Sequence, residues 1–442
     1  MTTVAIIGYG YWGPNLLRNY MELPTASLES GCRVKYVCDL RSEQLARAQA
    51  RYPAVQTTSS FERVIDDPEV EAVVIATPIS THHPLAAAAL RVGKHVFVEK
   101  PIAASSAEAA ELCRLAAGGG LTLMVGHTFV YSPPVRKVKQ IIDSGELGEI
   151  RFVTSQRVNL GLHQKDVSVI WDLATHDLSI LDYWLGDGHR APQTAPAATP
   201  HGHGATPDDV VAVSVTGRAC VRRHIPDVAF VNLRFRSGVV ALAHVSWLSP
   251  VKLRRTVVVG SKKMVLYDDT AADEKVRLYD HGVHYTEPTT FEEFELTYHT
   301  GDIVAPRLDT TEPLRAEALH FLECVETGRP PLSDGAAGLR VVKVLEAAEE
   351  SLRGDSCLVK VEPAAECGPH LRAAGGGRGE PAAGGGRGEP AAGGGRGEPA
   401  AGGGREEPAV APDAAGSRLH VVESDAAGAT RPPDRSDRSV RP

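Results

Sequence analysis

The chain has 442 residues, of which 43% are hydrophobic, and its formal net charge is −8. This length exceeds one domain of about 100–200 residues and predicts two or three, while the acidic balance argues against a nucleic-acid or anionic-membrane partner. The seven cysteines are scattered and form no Cys-x-x-Cys pair, so neither a disulfide framework nor a structural zinc site is expected.

The N-terminal apolar run predicts a first β-strand rather than a targeting segment. It carries no charged leader, and Gly8 and Gly10 interrupt it early. No apolar segment elsewhere approaches the roughly 20 residues of a membrane helix. We therefore expect a cytoplasmic protein without a membrane partner.

A glycine pattern follows this strand directly and precedes a helix. It consists of Gly8, Gly10 and Gly13, with Tyr11 and Trp12 between the last two. The glycines permit a tight turn, a close backbone approach to a pyrophosphate and close helix–strand packing, which leaves the phosphates at the helix N-terminus. The alternative is a tight turn without a ligand, but the complete setting predicts a dinucleotide site.

Asp39 ends the second predicted strand, at residues 34–39. A carboxylate at this position accepts hydrogen bonds from the adenosine ribose hydroxyls and repels a 2′-phosphate, which favours NAD over NADP. Arg41 lies two residues further on and could reach a phosphate. NADP therefore stays open as the less favoured cofactor.

Two further predicted strands end in polar residues. Residues 72–76 lead to Thr77, Pro78 and a loop that contains His82, and residues 95–98 lead to Glu99 and Lys100, which Pro101 follows. Ligands of an open α/β sheet bind beyond the carboxyl ends of its strands, so Lys100 would face the crevice. A solvated charge pair at a loop mouth is the alternative. Alternating strands and helices over residues 1–127 predict a doubly wound parallel sheet.

The second half of the chain predicts a second structural layer, distinct from the parallel sheet of residues 1–127. Residues 171–182 have helical spacing, so Asp172 and His176 should share a face. Several strands between residues 210 and 267 predict a largely antiparallel sheet in an α+β domain. The segment between Gly186 and Asp209 reads as a loop, and metal ligation by its histidines (His189, His201 and His203) lacks supporting ligand spacing. Residues 362–442, with a Gly-rich nine-residue repeat, predict a disordered tail.

Four motifs give the chain a resemblance to the Gfo/Idh/MocA oxidoreductases over residues 1–361. They are the glycine pattern, Ala76-Thr77-Pro78, residues 93–101 with Glu99-Lys100-Pro101, and Trp171-Asp172-x-x-x-His176-Asp177. The resemblance implies an NAD-binding Rossmann domain at residues 1–127 and a substrate and oligomerisation domain with an open mixed sheet at 128–361. Gly126-His127-Thr128-Phe129 and the strand 240–247 are most similar to the bacterial branch that acts on nucleotide-linked sugars or aminosugars, such as UDP-N-acetylglucosaminuronate 3-dehydrogenases.

The resemblance also implies roles for individual residues. Lys100 would stand between nicotinamide and sugar, His176 would be the general base, and Asp172 would position the substrate or His176. Glu99 would contact the nicotinamide ribose or anchor Lys100. His127 would touch the substrate at the domain junction, or serve the structure. Thr77, Pro78 and His82 would lie near the cofactor.

The expected activity is oxidation of a secondary alcohol, at C3, of a sugar, aminosugar or sugar nucleotide by NAD. Reduction of a keto-sugar, NAD-dependent glycoside hydrolysis and a non-catalytic NAD sensor are the alternatives. Val169-Ile170-Trp171 stands where many family members have glycines, and residues 187–208 resemble an insertion. Both departures bear on the identity of the substrate and not on the chemistry of the reaction. A homodimer or homotetramer is expected.

Overall fold

A computed structural model describes residues 1–23, 31–161, 163, 167–186, 209–285 and 296–362. The predicted loop insertion at 187–208, with its three histidines, and the predicted disordered tail beyond Glu362 lie outside the described residues.

In the described residues, β-strands and α-helices alternate up to about residue 150, and strands predominate beyond it. The strands are Thr2–Ile7 (β1), Cys32–Cys38 (β2), Gln56–Thr58 (β3), Ala72–Ile75 (β4), His95–Glu99 (β5), Leu123–Gly126 (β6), Ile150–Leu160 (β7), Val210–Arg218 (β8), Val228–Phe235 (β9), Val240–Ser246 (β10), Leu248–Gly260 (β11), Met264–Asp268 (β12), Val276–Tyr285 (β13), Leu296–Val304 (β14) and Val359–Lys360 (β15). The helices are Gly13–Met21 (α1), Ser42–Arg51 (α2), Phe61–Ile65 (α3), His82–Arg91 (α4), Ser106–Gly119 (α5), Pro133–Asp143 (α6), Thr175–Leu185 (α7), Pro313–Thr327 (α8) and Gly335–Arg353 (α9).

The first sheet is parallel throughout, in the order β3-β2-β1-β4-β5-β6. Its central strand β4 is apolar and fully buried, because helices cover both faces of a parallel sheet. The strand order reverses between β1 and β4, which opens a crevice at the carboxyl ends of these strands. The predicted doubly wound sheet is confirmed.

The second sheet is mixed, in the order β14-β13-β12-β11-β7-β10-β9-β8-β15. Among the described pairings β10 and β7 run parallel, whereas the other pairs run antiparallel. The prediction of an open, largely antiparallel sheet is confirmed. Strands β3, β13 and β14 were not predicted from the sequence. Strand β14 is almost entirely exposed, so its sequence lacks the alternation of apolar and polar residues that marks a half-buried strand.

Helices α8 and α9 follow strand β14 in the chain. Helix α8 packs against the first sheet. Helix α9 contacts both sheets: Gly338 lies close to Val125 of β6, and the Ser351 hydroxyl accepts the Val215 N–H of β8 at 2.8 Å. The Phe321 ring of α8 meets the Phe97 ring of β5 edge-on, with 5.8 Å between centroids. The backbone N–H of Val125 in β6 donates to the Ser333 carbonyl at 2.8 Å. These contacts cover a face and the outer edge of the parallel sheet.

The described helices include none that is both long and apolar enough to cross a membrane.

Candidate functional site

The glycine turn after β1 forms one wall of the candidate site. Gly8 has a φ of +94°, and a Cβ atom there would lie 2.5 Å from the Ala76 carbonyl oxygen, so the position requires glycine. A Cβ atom at Gly13 would collide with the Gly8 carbonyl group. The turn therefore holds the N-terminus of α1 at the carboxyl edge of the sheet, where a pyrophosphate can accept its N–H groups.

The two aromatic residues in the middle of the glycine turn, Tyr11 and Trp12, differ in solvent exposure. Tyr11 is 91% exposed, and its ring stacks on Trp12 with 6.4 Å between centroids. The half-buried Trp12 side chain acts to lower the pKa of the Glu99 carboxyl. A Cβ atom at Gly10 would lie 3.4 Å from the Arg41 guanidinium. The residues of the turn thus connect the ends of β1, β2 and β5.

Asp39, just beyond β2, already has four hydrogen bonds. Its carboxylate accepts from the N–H groups of Tyr9 and Arg41 at 2.8 and 2.9 Å, and from the Arg41 guanidinium at 3.1 and 3.2 Å. Burial acts to raise the pKa of Asp39, but the bonds from Arg41 and Tyr9 outweigh it and lower the pKa. The carboxylate is therefore charged, and a ribose hydroxyl would compete with Arg41 for it.

The loop after β4 carries three of the predicted cofactor residues. Thr77 is half-buried and Pro78 is exposed. A Cβ atom at Gly8 would lie 2.9 Å from the Thr77 methyl carbon, so Thr77 borders the glycine turn. His82 is only 2% exposed, and its ring nitrogens lie 2.8 Å from the carbonyl oxygens of Thr77 and Pro101. Burial lowers the pKa of His82. Its ring therefore ties the loops after β4 and β5 together, which orients Lys100 through its neighbour Pro101.

Glu99 ends β5 with a carboxyl group that faces the protein interior. Its Oε2 atom accepts the Lys100 backbone N–H at 3.3 Å, and its buried Oε1 atom has no partner among the described residues. Burial raises the pKa of Glu99 to about 7, although the Lys100 charge opposes the shift. The alternative of a solvated pair at a loop mouth does not describe this carboxyl.

Lys100 and Asp172 meet across the crevice. The Lys100 Nζ atom donates to the Asp172 backbone carbonyl at 3.0 Å and lies 3.5 Å from the Asp172 carboxylate. The other oxygen of that carboxylate accepts from the Trp247 indole at 3.1 Å. With 20% of its side chain exposed, Lys100 presents a fixed positive charge to the crevice.

His176 lies about one helical turn after Asp172 in the sequence, but the helix that joins them is not regular. Residues 170–174 form a π-helical turn that leads into α7, and Asp172 contacts Lys100 and Trp247 instead of His176. The His176 ring packs edge-on against Phe129, 5.0 Å between centroids. Burial, followed by the charges of Lys100 and Arg157, lowers the pKa of His176 well below its usual value. The imidazole is therefore neutral at neutral pH, as a general base must be.

His127 lies directly beyond β6 and is 1% exposed. Neither ring nitrogen has a partner among the described residues. Burial lowers the pKa of His127 to about 4, with Asp182 opposing the shift and Lys100 adding to it. The buried, neutral ring lies near the charged groups of the site and has both nitrogens available for hydrogen bonding.

Sequence reasoning missed the side chains that support these groups. Trp247 holds Asp172, and Phe129 packs on His176. Arg157 stacks over Phe129, 4.4 Å from its ring centre, and forms a buried ion pair with Asp177, whose Oδ2 lies 2.8 Å from Nε. Among these supporting side chains, only Asp177 could be suspected from the local sequence, because it stands beside His176. Its partner Arg157 and the Asp172 partner Trp247 come from distant strands.

The arrangement combines a cation and a neutral imidazole at a dinucleotide-type crevice. The cation can stabilise an oxyanion, and the imidazole can accept a proton. Within the described ranges, no group of three or more acidic, His or Cys side chains is placed to hold a metal ion. The cation and the imidazole together suit removal of a proton from a hydroxyl group.

Comparison with protein families gives two matches. Residues 2–127 match the model described as the oxidoreductase family with an NAD-binding Rossmann fold. Residues 135–266 match the GFO/IDH/MocA C-terminal domain. Together they cover the glycine turn, Lys100 and His176.

Individual proteins share this organisation at low identity. Inositol 2-dehydrogenase 2 of Saccharopolyspora erythraea is 34% identical over 209 residues, which are 46% of this chain and 59% of that protein. The structure of UDP-N-acetylglucosamine 3-dehydrogenase GnnA from Acidithiobacillus ferrooxidans has a TM-score of 0.62 at 23% identity, covering 80% of this chain and 97% of that one. GenD2 from gentamicin A biosynthesis, solved with NAD, has a TM-score of 0.64 at 22% identity over 82% and 96% of the chains. The two structures show the likeness of fold.

Proposed function

Because the chain belongs to the Gfo/Idh/MocA family of NAD-binding oxidoreductases, we propose that it oxidises a secondary alcohol, at C3, of a sugar, aminosugar or sugar nucleotide. The observation that carries the proposal is the meeting of Lys100 with Asp172, four residues before the neutral His176. The similarity to inositol, UDP-N-acetylglucosamine and gentamicin-pathway enzymes supports the substrate class. The proposed domain division is 1–127 for the cofactor and 128–361 for the substrate.

Each residue of the site would have a defined part in this oxidation. The reacting carbon loses a hydride and its hydroxyl loses a proton, which leaves a carbonyl group. When bound, NAD supplies the hydride acceptor. Lys100 stabilises the developing alkoxide, and the neutral His176 accepts the proton. Asp172 holds Lys100 in place.

The cofactor would lie along the strand ends that carry the glycine turn. Gly8, Gly10 and Gly13 leave room for the pyrophosphate, while Tyr11 and Trp12 border it. Asp39 would take the adenosine ribose, with Arg41 moving aside. Thr77 and Pro78 would line the nicotinamide end, near Glu99, and His82 would act by holding their loop.

The substrate proposal is tested with a panel of sugar nucleotides, aminosugars, free sugars and inositols. NADH absorbance is measured with NAD present, and the corresponding keto-sugars are tried with NADH. We expect NADH formation from at least one sugar nucleotide or aminosugar. Sugar release without net NADH would instead identify a glycoside hydrolase, and no reaction in either direction would contradict the proposal.

Replacing Asp39 by alanine is expected to lower kcat/KM for NAD by about tenfold or more, since a charged hydrogen bond to the ribose contributes about 1.5–3 kcal/mol. Arg41, released from its partner, would then favour a 2′-phosphate, so the ratio of NADP to NAD efficiency should rise. Steady-state kinetics with both cofactors checks this. Asp66→Ala, at an exposed position, is the control. Unchanged NAD kinetics in Asp39→Ala would contradict the assignment.

The outer face of the second sheet supports a proposed homodimer or homotetramer. Phe152, Phe230, Val240 and Leu242 are between 37% and 48% exposed. The strand register places Phe152 opposite Val240, and Phe230 opposite His244, so they form one apolar patch. A patch of this kind on a soluble protein marks an interface.

Leu242→Glu is expected to dissociate this oligomer, because it puts a charge into the apolar patch. Light scattering coupled to size-exclusion chromatography measures the mass. Val221→Glu, at a 61% exposed position in another part of the chain, should leave the mass unchanged. A monomeric wild-type protein, or an unaffected Leu242→Glu variant, would contradict the proposed interface.

A further inference from the structure

A second acidic side chain is buried behind the crevice. Glu317, on α8, is 1% exposed. Its Oε2 atom accepts a hydrogen bond from the Thr128 hydroxyl at 3.0 Å, whereas its buried Oε1 atom has no partner among the described residues. A buried carboxyl without a compensating cation is costly when ionised.

Glu317 and Glu99 approach the same short segment from different elements. A Cβ atom at Gly126 would lie 3.0 Å from the Glu99 carboxyl carbon, so glycine is what leaves room for that carboxyl. Thr128, two residues further on, binds Glu317. Both acids therefore adjoin residues 126–128, and the Glu99 charge acts on Glu317.

Tyr20 of α1 completes this buried group. It is 2% exposed, and its hydroxyl has no partner among the described residues. Burial raises the pKa of Tyr20 well above its usual value, and Cys32, Glu317, Glu99 and Tyr131 add to the shift. The Tyr20 hydroxyl and the Oε1 atoms of Glu99 and Glu317 are thus buried oxygens that find no hydrogen-bond partner in the described part of the chain, although buried polar atoms normally have one.

The groups facing Glu317 and Glu99 determine which of them ionises. Burial raises the pKa of Glu317 well above its usual range, and the Glu99 carboxylate raises it further against the Thr128 bond. Glu99 has Lys100 and Trp12 to oppose its burial, which leaves its pKa at about 7. Two carboxyls in one dry site do not ionise together, so the proton belongs on Glu317.

We propose that Glu317 is a positioning residue that keeps its proton at neutral pH and leaves Glu99 as the carboxyl that titrates at the edge of the cofactor site. The inference rests on the proposed placement of Glu99 near the nicotinamide end of NAD. The oxidised nicotinamide ring is positively charged and the reduced ring is neutral. Ionised Glu99 therefore favours NAD over NADH, and the preference increases as Glu99 loses its proton.

This proposal is tested by two measurements that do not require catalytic turnover. Infrared spectroscopy of the cofactor-free protein detects the carbonyl band of a protonated carboxyl. Fluorescence titration gives the Kd values of NAD and NADH between about pH 6 and about pH 8, where the ratio Kd(NADH)/Kd(NAD) should rise severalfold as Glu99 ionises.

Glu317→Gln keeps the Thr128 bond and is always neutral. It should lose one carboxylic-acid band at neutral pH, while the Kd ratio keeps its wild-type pH midpoint. Thr128→Val removes only the hydrogen bond, which lowers the pKa of Glu317, so Glu317 should stay protonated: the band should shift while the Kd ratio keeps its wild-type pH midpoint. A carboxylic-acid signal of unchanged intensity in Glu317→Gln, or a midpoint moved by about one pH unit or more, would overturn the proposal. Failure to oxidise any sugar would leave both measurements valid and would refute only the proposed substrate.

Discussion

Lys100→Ala should lower kcat by at least about 100- to 1,000-fold, the loss typical when one preorganised donor to a developing oxyanion is removed. The side chain lies 3.0 Å from the Asp172 carbonyl and 3.5 Å from its carboxylate, so its position is fixed before substrate arrives. The Kd of NAD should change little, because the glycine turn and Asp39 are untouched. Stopped-flow or steady-state NADH formation measures kcat, and fluorescence titration measures the Kd.

A lysine at the other end of the same strand provides the matched control. Lys94 precedes β5, and its Nζ atom donates to the Asp67 carbonyl at 2.9 Å, outside the crevice. Lys94→Ala should retain turnover. If Lys100→Ala keeps most of the wild-type activity, the alkoxide is stabilised by another group and the assignment of Lys100 is wrong.

His176→Ala is expected to lower kcat by about 10²–10⁴-fold, the usual contribution of a general base. Burial lowers the pKa of His176 well below its usual value, so the wild-type imidazole is neutral at neutral pH. It becomes protonated only in acid, and kcat should fall there. The acid limb of the wild-type pH profile of kcat should therefore disappear in the variant.

The pH profile separates a base from a packing residue. Loss of the Phe129 contact alone would lower kcat or stability at every pH without removing the limb. His224→Asn, at an exposed loop position, should preserve both rate and profile. An acid limb that persists unchanged in His176→Ala would assign the base to another group.

The sequence predicted the parts of the site that follow from local patterns. Gly8 and Gly13 could be recognised because their backbone and packing demands exclude other residues. Lys100 could be placed in the crevice since the carboxyl ends of parallel strands meet at one edge of the sheet. Family and fold class are confirmed, while the catalytic roles of Lys100, Asp172 and His176 stay predictions.

The remaining features depend on contacts between distant parts of the chain. Trp247 reaches Asp172 across 75 positions, and Thr128 reaches Glu317 across 189, distances over which no periodicity carries information. The π-helical turn at residues 170–174 inserts a residue into a pattern that reads as a regular helix. The exposed strand β14 shows no buried face, so hydrophobic spacing could not reveal it.

The return of α8 and α9 to the first sheet limits how this chain can be recombined with relatives. Phe321 packs on Phe97, Ser333 bonds to the edge strand at Val125, and Glu317 lies behind Glu99. A chimera that exchanges only residues 1–127 would pair a foreign sheet with these native helices. A transplant of the cofactor-binding part must therefore carry residues 313–353 with it, as one discontinuous cassette.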